Sequence, residues 1–274
     1  MQRVVSISSI VNLTVNPSRW TAIIPAAGKG SRLGYNLPKI LYPILGRPII
    51  DWLVDLLRPV CSKFVFVFSP EGRNEIEPIL YDRLGDAFSI LIQEKPTGMG
   101  DAVLLTQNVV KTPNSLVVWG DQVALRHRTV IACAASHEQN ENAILTMPSV
   151  IKKNAYINFM RDEDGRIVSI AQGRENEIQG EFGENDCGLF LFTTDKLFKI
   201  LHAAKRNGIG IGQSTGEFNL VQALPCFETG EGSVLTIRID DPMEALGVNT
   251  LNDADLISGA LRQRLEETLN YNGK

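Results

Sequence analysis

The feature that most restricts the fold is an alternation that runs from Thr21 to Met147. Five apolar runs of strand length, Thr21–Pro25, Phe64–Ser69, Ser89–Gln93, Ser115–Trp119 and Ala143–Met147, are separated by segments of helical character. In Pro48–Leu57, residues Ile49, Ile50, Trp52, Leu53, Leu56 and Leu57 fall at helical spacing, with Asp51 and Asp55 turned outward. Helices are also predicted over Glu75–Leu84, Gly100–Val110 and Thr129–His137. A run such as FVFVFS has no polar face to give to water, so it belongs in a sheet covered on both sides. Strand–helix–strand order therefore predicts an α/β fold with a mostly parallel sheet and right-handed crossovers.

From Ala155 the rhythm changes. A hairpin is predicted from Tyr156–Arg161 and Arg166–Ala171 about the turn Asp162–Gly165, followed by a polar stretch to Asn185. Gly188–Thr193 reads as a strand, Thr194–Ala204 and Glu217–Leu224 as helices, and Arg206–Gly216 as a glycine-rich loop with the makings of a lid. Val234–Ile239 and Ala245–Val248 are expected to close the core, and Leu251–Leu269 to form a long helix. At the N-terminus, Val5, Ile7, Val11, Leu13 and Val15 share one parity against Ser6, Ser8, Asn12 and Thr14. That pattern suits a half-buried strand or hairpin at a sheet edge, or equally a partner-binding arm. The expected division is an N-terminal extension over 1–20 and one domain over 21–274.

With 274 residues, 44% apolar and 21% charged, such a chain folds without disulfides or a structural metal. Cys61, Cys133, Cys187 and Cys226 lie too far apart for a zinc knuckle or redox pair. His127, His137 and His202 make no metal-ligand pattern. The net charge of −4 argues against a nucleic-acid or polybasic membrane binder and leaves room for a local anion pocket. No apolar run reaches membrane-spanning length. Met1–Arg19 makes a poor signal peptide, so a cytoplasmic protein is expected.

Chemistry concentrates after the first of the apolar strands. Ala26-Ala27-Gly28-Lys29-Gly30-Ser31-Arg32-Leu33 supplies small residues that let backbone N–H groups approach a phosphate, and Arg32 adds a forked cation suited to it. The turn lacks both the GxGxxG fingerprint and the GK[ST] ending of a P-loop. Leu37-Pro38-Lys39 follows, with a proline that stiffens the approach to the lysine. Alone, Lys39 reads as a surface residue; after that turn it is aimed at the same phosphates. Asp121 ends the run SLVVWGD at the carboxyl edge of the predicted sheet, where ligands of open α/β sheets gather. A carboxylate there suits Mg²⁺, or caps a turn. Gln93 also ends a strand, and Asn249 stands where it could cap the last helix.

Taken together these segments resemble the sugar-nucleotide pyrophosphorylase family of nucleotidyltransferases, nearest to the N-acetylglucosamine-1-phosphate uridylyltransferase domain. The resemblance runs from about Thr21 to Leu256. It rests on Ala26–Leu33, Leu37-Pro38-Lys39, Gln93, Gly98-Met99-Gly100-Asp101-Ala102, Gly120-Asp121, Gly188, Gly216-Glu217 and Gly247-Val248-Asn249. It implies a Rossmann-like (GT-A-like) domain with helices on both faces of the sheet and a small β-rich sugar-binding lobe. It further implies that Ala26, Ala27, Gly28, Lys29 and Gly30 hold the triphosphate together with Arg32. Lys39 would bridge the phosphates of both substrates, Gln93 would read a pyrimidine edge, and Gly98 would let the base lie against the backbone. Asp121 and Asn249 would hold Mg²⁺. Tyr156, Gln172 and Asp186 are the sugar-side positions, and here the chain departs from the pattern. Ala155-Tyr156-Ile157 stands for Gly-Tyr-Gly, Gln172 for a glutamate, and Asp186-Cys187-Gly188 for Asn-Thr-Gly. Asp186 either accepts from sugar hydroxyls or makes a turn.

The expected reaction joins a nucleoside triphosphate, UTP first, to a sugar 1-phosphate. It needs no side-chain nucleophile, because the acceptor phosphate is already charged, and it runs on alignment and charge neutralisation. The expected partners are these two substrates, with homo-oligomers left open and no nucleic acid or membrane. A cytidylyltransferase for a polyol or aminoalkyl phosphate would share the turn and the lysine. A silent nucleotide sensor would not need both metal ligands.

Overall fold

The computed structural model describes residues 3–28, 30–173, 180–228 and 232–272. In chain order the elements are β1 Val4–Ser6, β2 Trp20–Pro25, the small hairpin β3 Pro43–Ile44 and β4 Arg47–Pro48, α1 Ile49–Leu57, β5 Lys63–Phe68, α2 Arg73–Leu84, β6 Phe88–Ile92, α3 Met99–Leu105, β7 Asn114–Val118, α4 His127–Glu138, β8 Ala143–Lys153, β9 Ile157–Arg161, β10 Ile167–Gln172, β11 Phe182–Asp186, β12 Leu189–Thr193, α5 Thr194–Arg206, β13 Ser233–Arg238 and α6 Leu251–Asn272.

The central sheet has the order β1-β13-β8-β12-β7-β2-β5-β6, with β11 also paired to β8. β2 pairs in parallel with both β5 and β7, and β5 with β6. β12 is inserted antiparallel between β7 and β8. Both faces are buried, as the apolar runs required. Trp20, Ala22 and Ile24 of β2, Phe64, Phe66 and Phe68 of β5, and Leu116 and Val118 of β7 pack on one side with α1, α4 and α6. Ile23, Val65 and Val117 pack on the other with α3 and α5. The chain lays β5 and β6 to one side of β2 and then returns to lay β7 on the other. That reversal opens a crevice at the carboxyl ends of β2 and β7, the position where open α/β sheets bind ligands.

Several elements differ from the sequence expectation. Glu217–Leu224 is no α-helix. Asn219 N–H donates to Gly210 O (2.7 Å) and Gly212 N–H to Glu217 O (2.9 Å), which holds the first half extended, and a 3-10 turn containing Pro225 occupies Val221–Phe227. Gly100–Val110 is shorter as a helix, ending at Leu105 before a 3-10 turn. Ala245–Val248 packs on the core, with Val248 buried, and does so after a 3-10 turn over Pro242–Ala245. The N-terminal alternation yields only the three-residue β1, parallel to β13, because Ser6 accepts from Ser8 N–H and caps a 3-10 turn at Ile7–Ser9. β8 is eleven residues long, since its first part pairs with β12 and β13 and its last part with β11. The predicted hairpin is present as β9 and β10. Among the described residues no helix is long and apolar enough to cross a membrane.

Candidate active site

Two loops meet at the reversal point. Pro25 leads β2 into the small-residue turn, where Ala26 N–H donates to Val67 O at 2.8 Å. Gly120, after β7, donates to Pro25 O at 3.2 Å, so the turn and Asp121 are joined through backbone. Lys39 opens a 3-10 turn at Lys39–Leu41, and its N–H reaches Gly28 O at 3.4 Å. Its ammonium Nζ then donates to Asp121 Oδ2 at 2.5 Å and to Asn249 Oδ1 at 3.1 Å. The Lys39 and Asp121 side chains are 18% and 15% exposed, so water screens the pair only partly.

Asn249 is delivered to the same point by the start of α6. Asp253 Oδ2 accepts from Thr250 N–H at 2.8 Å and from Asn249 N–H at 3.2 Å, and Thr250 Oγ1 accepts from Asp253 N–H at 3.2 Å. This reciprocal box satisfies the helix N-terminus. The Asn249 side chain is thereby spared the capping role that its position had suggested. Its Oδ1 accepts from Lys39 and also from Arg32 Nη2 at 3.1 Å. Val248 N–H donates to Asp121 O at 3.0 Å, which fixes the two oxygen donors relative to each other.

Gln93 is 8% exposed and stands between the turn and the cleft. Its Nε2 donates to Gly98 O (3.1 Å) and Thr97 Oγ1 (3.2 Å), which braces the turn, and the residue faces the cleft that the turn borders. Gly98 sits at φ 111, and a Cβ there would come within 2.4 Å of Phe218 O; only glycine fits. The segment that follows the glycine-rich loop Arg206–Gly216 is tied down beside it. Phe218 N–H donates to Thr97 O, and Gly100 N–H to Phe218 O, both at 2.9 Å.

Two clefts share Met99, Trp119 and Asp121 as common wall. The first, about 380 Å³, is lined by Ala26, Ala27, Gly28, Lys39, Gln93, Gly98 and Glu217 among others. The second, about 310 Å³, is lined by Gln122, Lys152, Tyr156, Asn185, Asp186 and Asn249 among others. Asp186 is 5% exposed. Burial pushes its carboxyl up to about 6, against the opposing pull of Gly188 N–H, which donates to Oδ1 at 2.6 Å, and of the Lys152 charge. Beneath, Glu184 is held by Arg161 (2.7 and 2.8 Å), Arg238 (3.0 Å) and Ser149 Oγ (2.7 Å). Burial raises its carboxyl, but those partners outweigh it and the net shift is downward. Tyr156 lies at the second cleft and is 55% exposed.

The structure thus brings Arg32, Lys39, Asp121 and Asn249 together, groups Ala26, Ala27, Gly28, Gln93 and Gly98 around one cleft, and sets Tyr156 and Asp186 in the other. Gly30 closes the turn, its carbonyl accepting from Leu33 N–H at 2.9 Å. Lys29 and the side chain of Gln172 lie outside the described residues. Sequence reasoning missed Trp119, Gln122 and Lys152. The first two flank Gly120-Asp121, a signal that was available; Lys152 became visible only with the true length of β8. Burial raises the thiols of Cys61, Cys133 and Cys187 and lowers His137 to about 4, so none is poised as a nucleophile or base.

The chain resembles the bifunctional protein GlmU of Syntrophomonas wolfei, with 25% identity over 92% of this chain and 55% of that one. The corresponding values are 27%, 92% and 54% for GlmU of Staphylococcus carnosus, and 28%, 89% and 52% for GlmU of Heliobacterium modesticaldum. The chain spans about half the length of these curated relatives. Its fold is shared with the inositol-1-phosphate CTP transferase from T. maritima, at a TM-score of 0.64 and 18% identity, over 90% of this chain and 98% of that one. Residues 22–163, more than half of the chain, match the MobA-like NTP transferase domain, and the small-residue turn, Lys39 and Asp121 all fall inside that stretch: the chain belongs to the MobA-like NTP transferase domain family.

Proposed function

We propose that the protein joins a nucleoside triphosphate, UTP in preference to CTP, to a sugar 1-phosphate and releases pyrophosphate. The observation that carries this reading is the convergence of Lys39, Asp121 and Asn249 on the wall between two clefts. One cleft then takes the triphosphate and base, the other the acceptor. An acceptor phosphate oxygen attacks the α-phosphorus in line, a new P–O bond forms, and the bond from the α-phosphorus to the bridging oxygen breaks as pyrophosphate leaves. The backbone of Ala26–Gly28 cradles the departing phosphates, while Lys39 and Arg32 neutralise charge that grows on them. Lys39 stands at the seam, within reach of both substrates.

Asp121 and Asn249 suit a magnesium ion by their chemistry. Both are oxygen donors, and both already converge on one cation, the Lys39 ammonium. Mg²⁺ is commonly held by one or two protein oxygens, with water and substrate phosphate completing the shell. When bound it would add charge neutralisation at the phosphates.

Base choice follows from Gln93. With Nε2 directed to Thr97 and Gly98, its carbonyl oxygen is the group offered to a base, which suits the N3–H of uracil; cytosine presents an acceptor at that atom. The resemblance to the uridylyltransferase domain in the sequence motifs supports the same choice. A second reading, a CTP-dependent transferase for a cyclic polyol phosphate, draws support from the structural neighbour's substrate and from Ala155 and Asp186 on the acceptor side. Pyrophosphate release with Mg²⁺, measured for four nucleoside triphosphates against a panel of sugar and polyol phosphates, separates them. UTP with a sugar 1-phosphate is the expected pair. CTP with a polyol phosphate would support the second reading, and no release from any pair by folded protein would refute both.

A further inference from the structure

The wall of the second cleft holds a polar group that none of the roles above employs. Gln122 follows Asp121, is 5% exposed and lines that cleft. Its carboxamide oxygen is buried and has no hydrogen-bond partner among the described residues. A buried acceptor without a donor is unfavourable, and native proteins keep few of them. The side chain is packed closely on one side. Gly188, at φ 66, turns the chain between β11 and β12, and a Cβ there would lie 2.6 Å from Gln122 Cγ, 2.7 Å from Gln122 Nε2 and 2.7 Å from Trp119 Cδ1. The glycine turn therefore packs directly against Gln122 and Trp119, where a larger residue would displace them. The same turn carries Asp186, whose Oδ1 accepts from Gly188 N–H. An amide and a carboxylate thus share one small patch of the cleft wall.

This donor set has a preference. A carboxamide offers one acceptor and two donors, and an ionised carboxylate offers acceptors only. Adjacent hydroxyls match such a pair, since each can donate to an oxygen while accepting from the amide. Lys152 lines the same cleft and its charge favours ionised Asp186, so the wall has its own counter-charge and calls for a neutral, donor-rich body rather than an ammonium group.

We propose that Gln122 determines acceptor specificity by hydrogen-bonding ring hydroxyls of the sugar, beside Asp186; this rests on the sugar 1-phosphate reading above. The test is steady-state kinetics with the sugar 1-phosphate that the wild type turns over best and with its monodeoxy analogues, for wild type, Gln122→Leu and Gln122→Glu. Gln122→Leu is expected to raise the acceptor KM about tenfold or more and to leave the nucleotide KM within about twofold. One deoxy analogue should lose efficiency with the wild type but not with Gln122→Leu, the non-additivity that a direct contact produces. Gln122→Glu, which keeps an acceptor oxygen, should retain part of the discrimination. An unchanged acceptor KM, or parallel losses for every analogue in wild type and variant, would overturn the assignment. Should Gln122→Leu lose its circular dichroism signature, the same comparison is decided with Gln122→Glu. Failure of the wild type to use any sugar phosphate would refute the sugar reading itself and this inference with it; turnover without coupling refutes the inference alone.

Discussion

Lys39 and Asp121 are 82 positions apart in the chain and 2.5 Å apart in space. Exposed pairs of this kind contribute little to stability. This one is mostly buried, and it joins the two loops that the triphosphate would contact. Asp121→Ala should abolish turnover while far-UV circular dichroism stays native. Lys39→Ala should lower kcat by about two to three orders of magnitude, and wild-type rates in either variant would remove that residue from the site. Asp186 makes a different forecast. Its folded value of about 6 lies above the ordinary value of 3.8 for an aspartate, so the folded state holds the proton more tightly than the unfolded one. Stability attributable to this group is therefore greatest below about pH 4 and falls as pH rises to about 6, by about 3 kcal/mol. Urea unfolding of wild type and Asp186→Asn at pH 4, 5 and 7 checks it. The variant should gain on the wild type as pH rises, and a gap that is constant or shrinks would refute the forecast.

At the scale of elements, the start of α6 links stability to the site. Removing the Thr250 hydroxyl should cost about 1 kcal/mol and lower Tm by a few degrees. Because the same box delivers Asn249 to Lys39, Thr250→Ala should also raise the nucleotide KM; a Tm shift with unaltered kinetics would separate the two roles. The sequence could not decide between a capping and a site role for Asn249, since both need a short polar side chain before an apolar helix. The neighbouring Thr250 and Asp253, three apart, were the discriminating sign. β2, β5 and β7 were legible because burial on both faces leaves runs with no polar parity. The antiparallel insertion of β12 was not, because an apolar run reads the same in either direction. The extended course of 217–220 was hidden as well. Its backbone partners, Thr97 and Gly210, are loop residues that no periodicity marks, and so the link between Phe218 and the turn at Thr97–Gly98 came only from tertiary structure.

For the whole molecule, the order of strands decides where chemistry can occur. The reversal about β2 makes one crevice, and the turn after β2, the turn after β7 and the start of α6 all open onto it. The far edge of the sheet has another task. β1 covers β13, and Arg3 pairs with Glu228, a side chain 5% exposed. Deleting residues 1–6 would leave Ser233–Arg238 as an unprotected edge and Glu228 without that partner. The truncated protein should melt lower and self-associate with increasing concentration, as light scattering after size exclusion would show; a monodisperse, equally stable product would mean that β1 is dispensable.

β8 has a consequence of its own. One end is locked between β12 and β13, the other carries β11, and Pro148 stands at the change of neighbour, where a missing N–H leaves no rung unfilled on the β12–β11 side. Lys152, near its tip, faces the second cleft, while Lys153 pairs outward with Glu181. If the second cleft takes the acceptor as proposed, the strand would act as a ruler, its alternate side chains setting how far the acceptor extends from the reacting phosphorus. A new acceptor would be accommodated by exchanging side chains at alternate positions, whereas inserting a single residue beyond Pro148 would turn Lys152 out to solvent and bring its neighbour in.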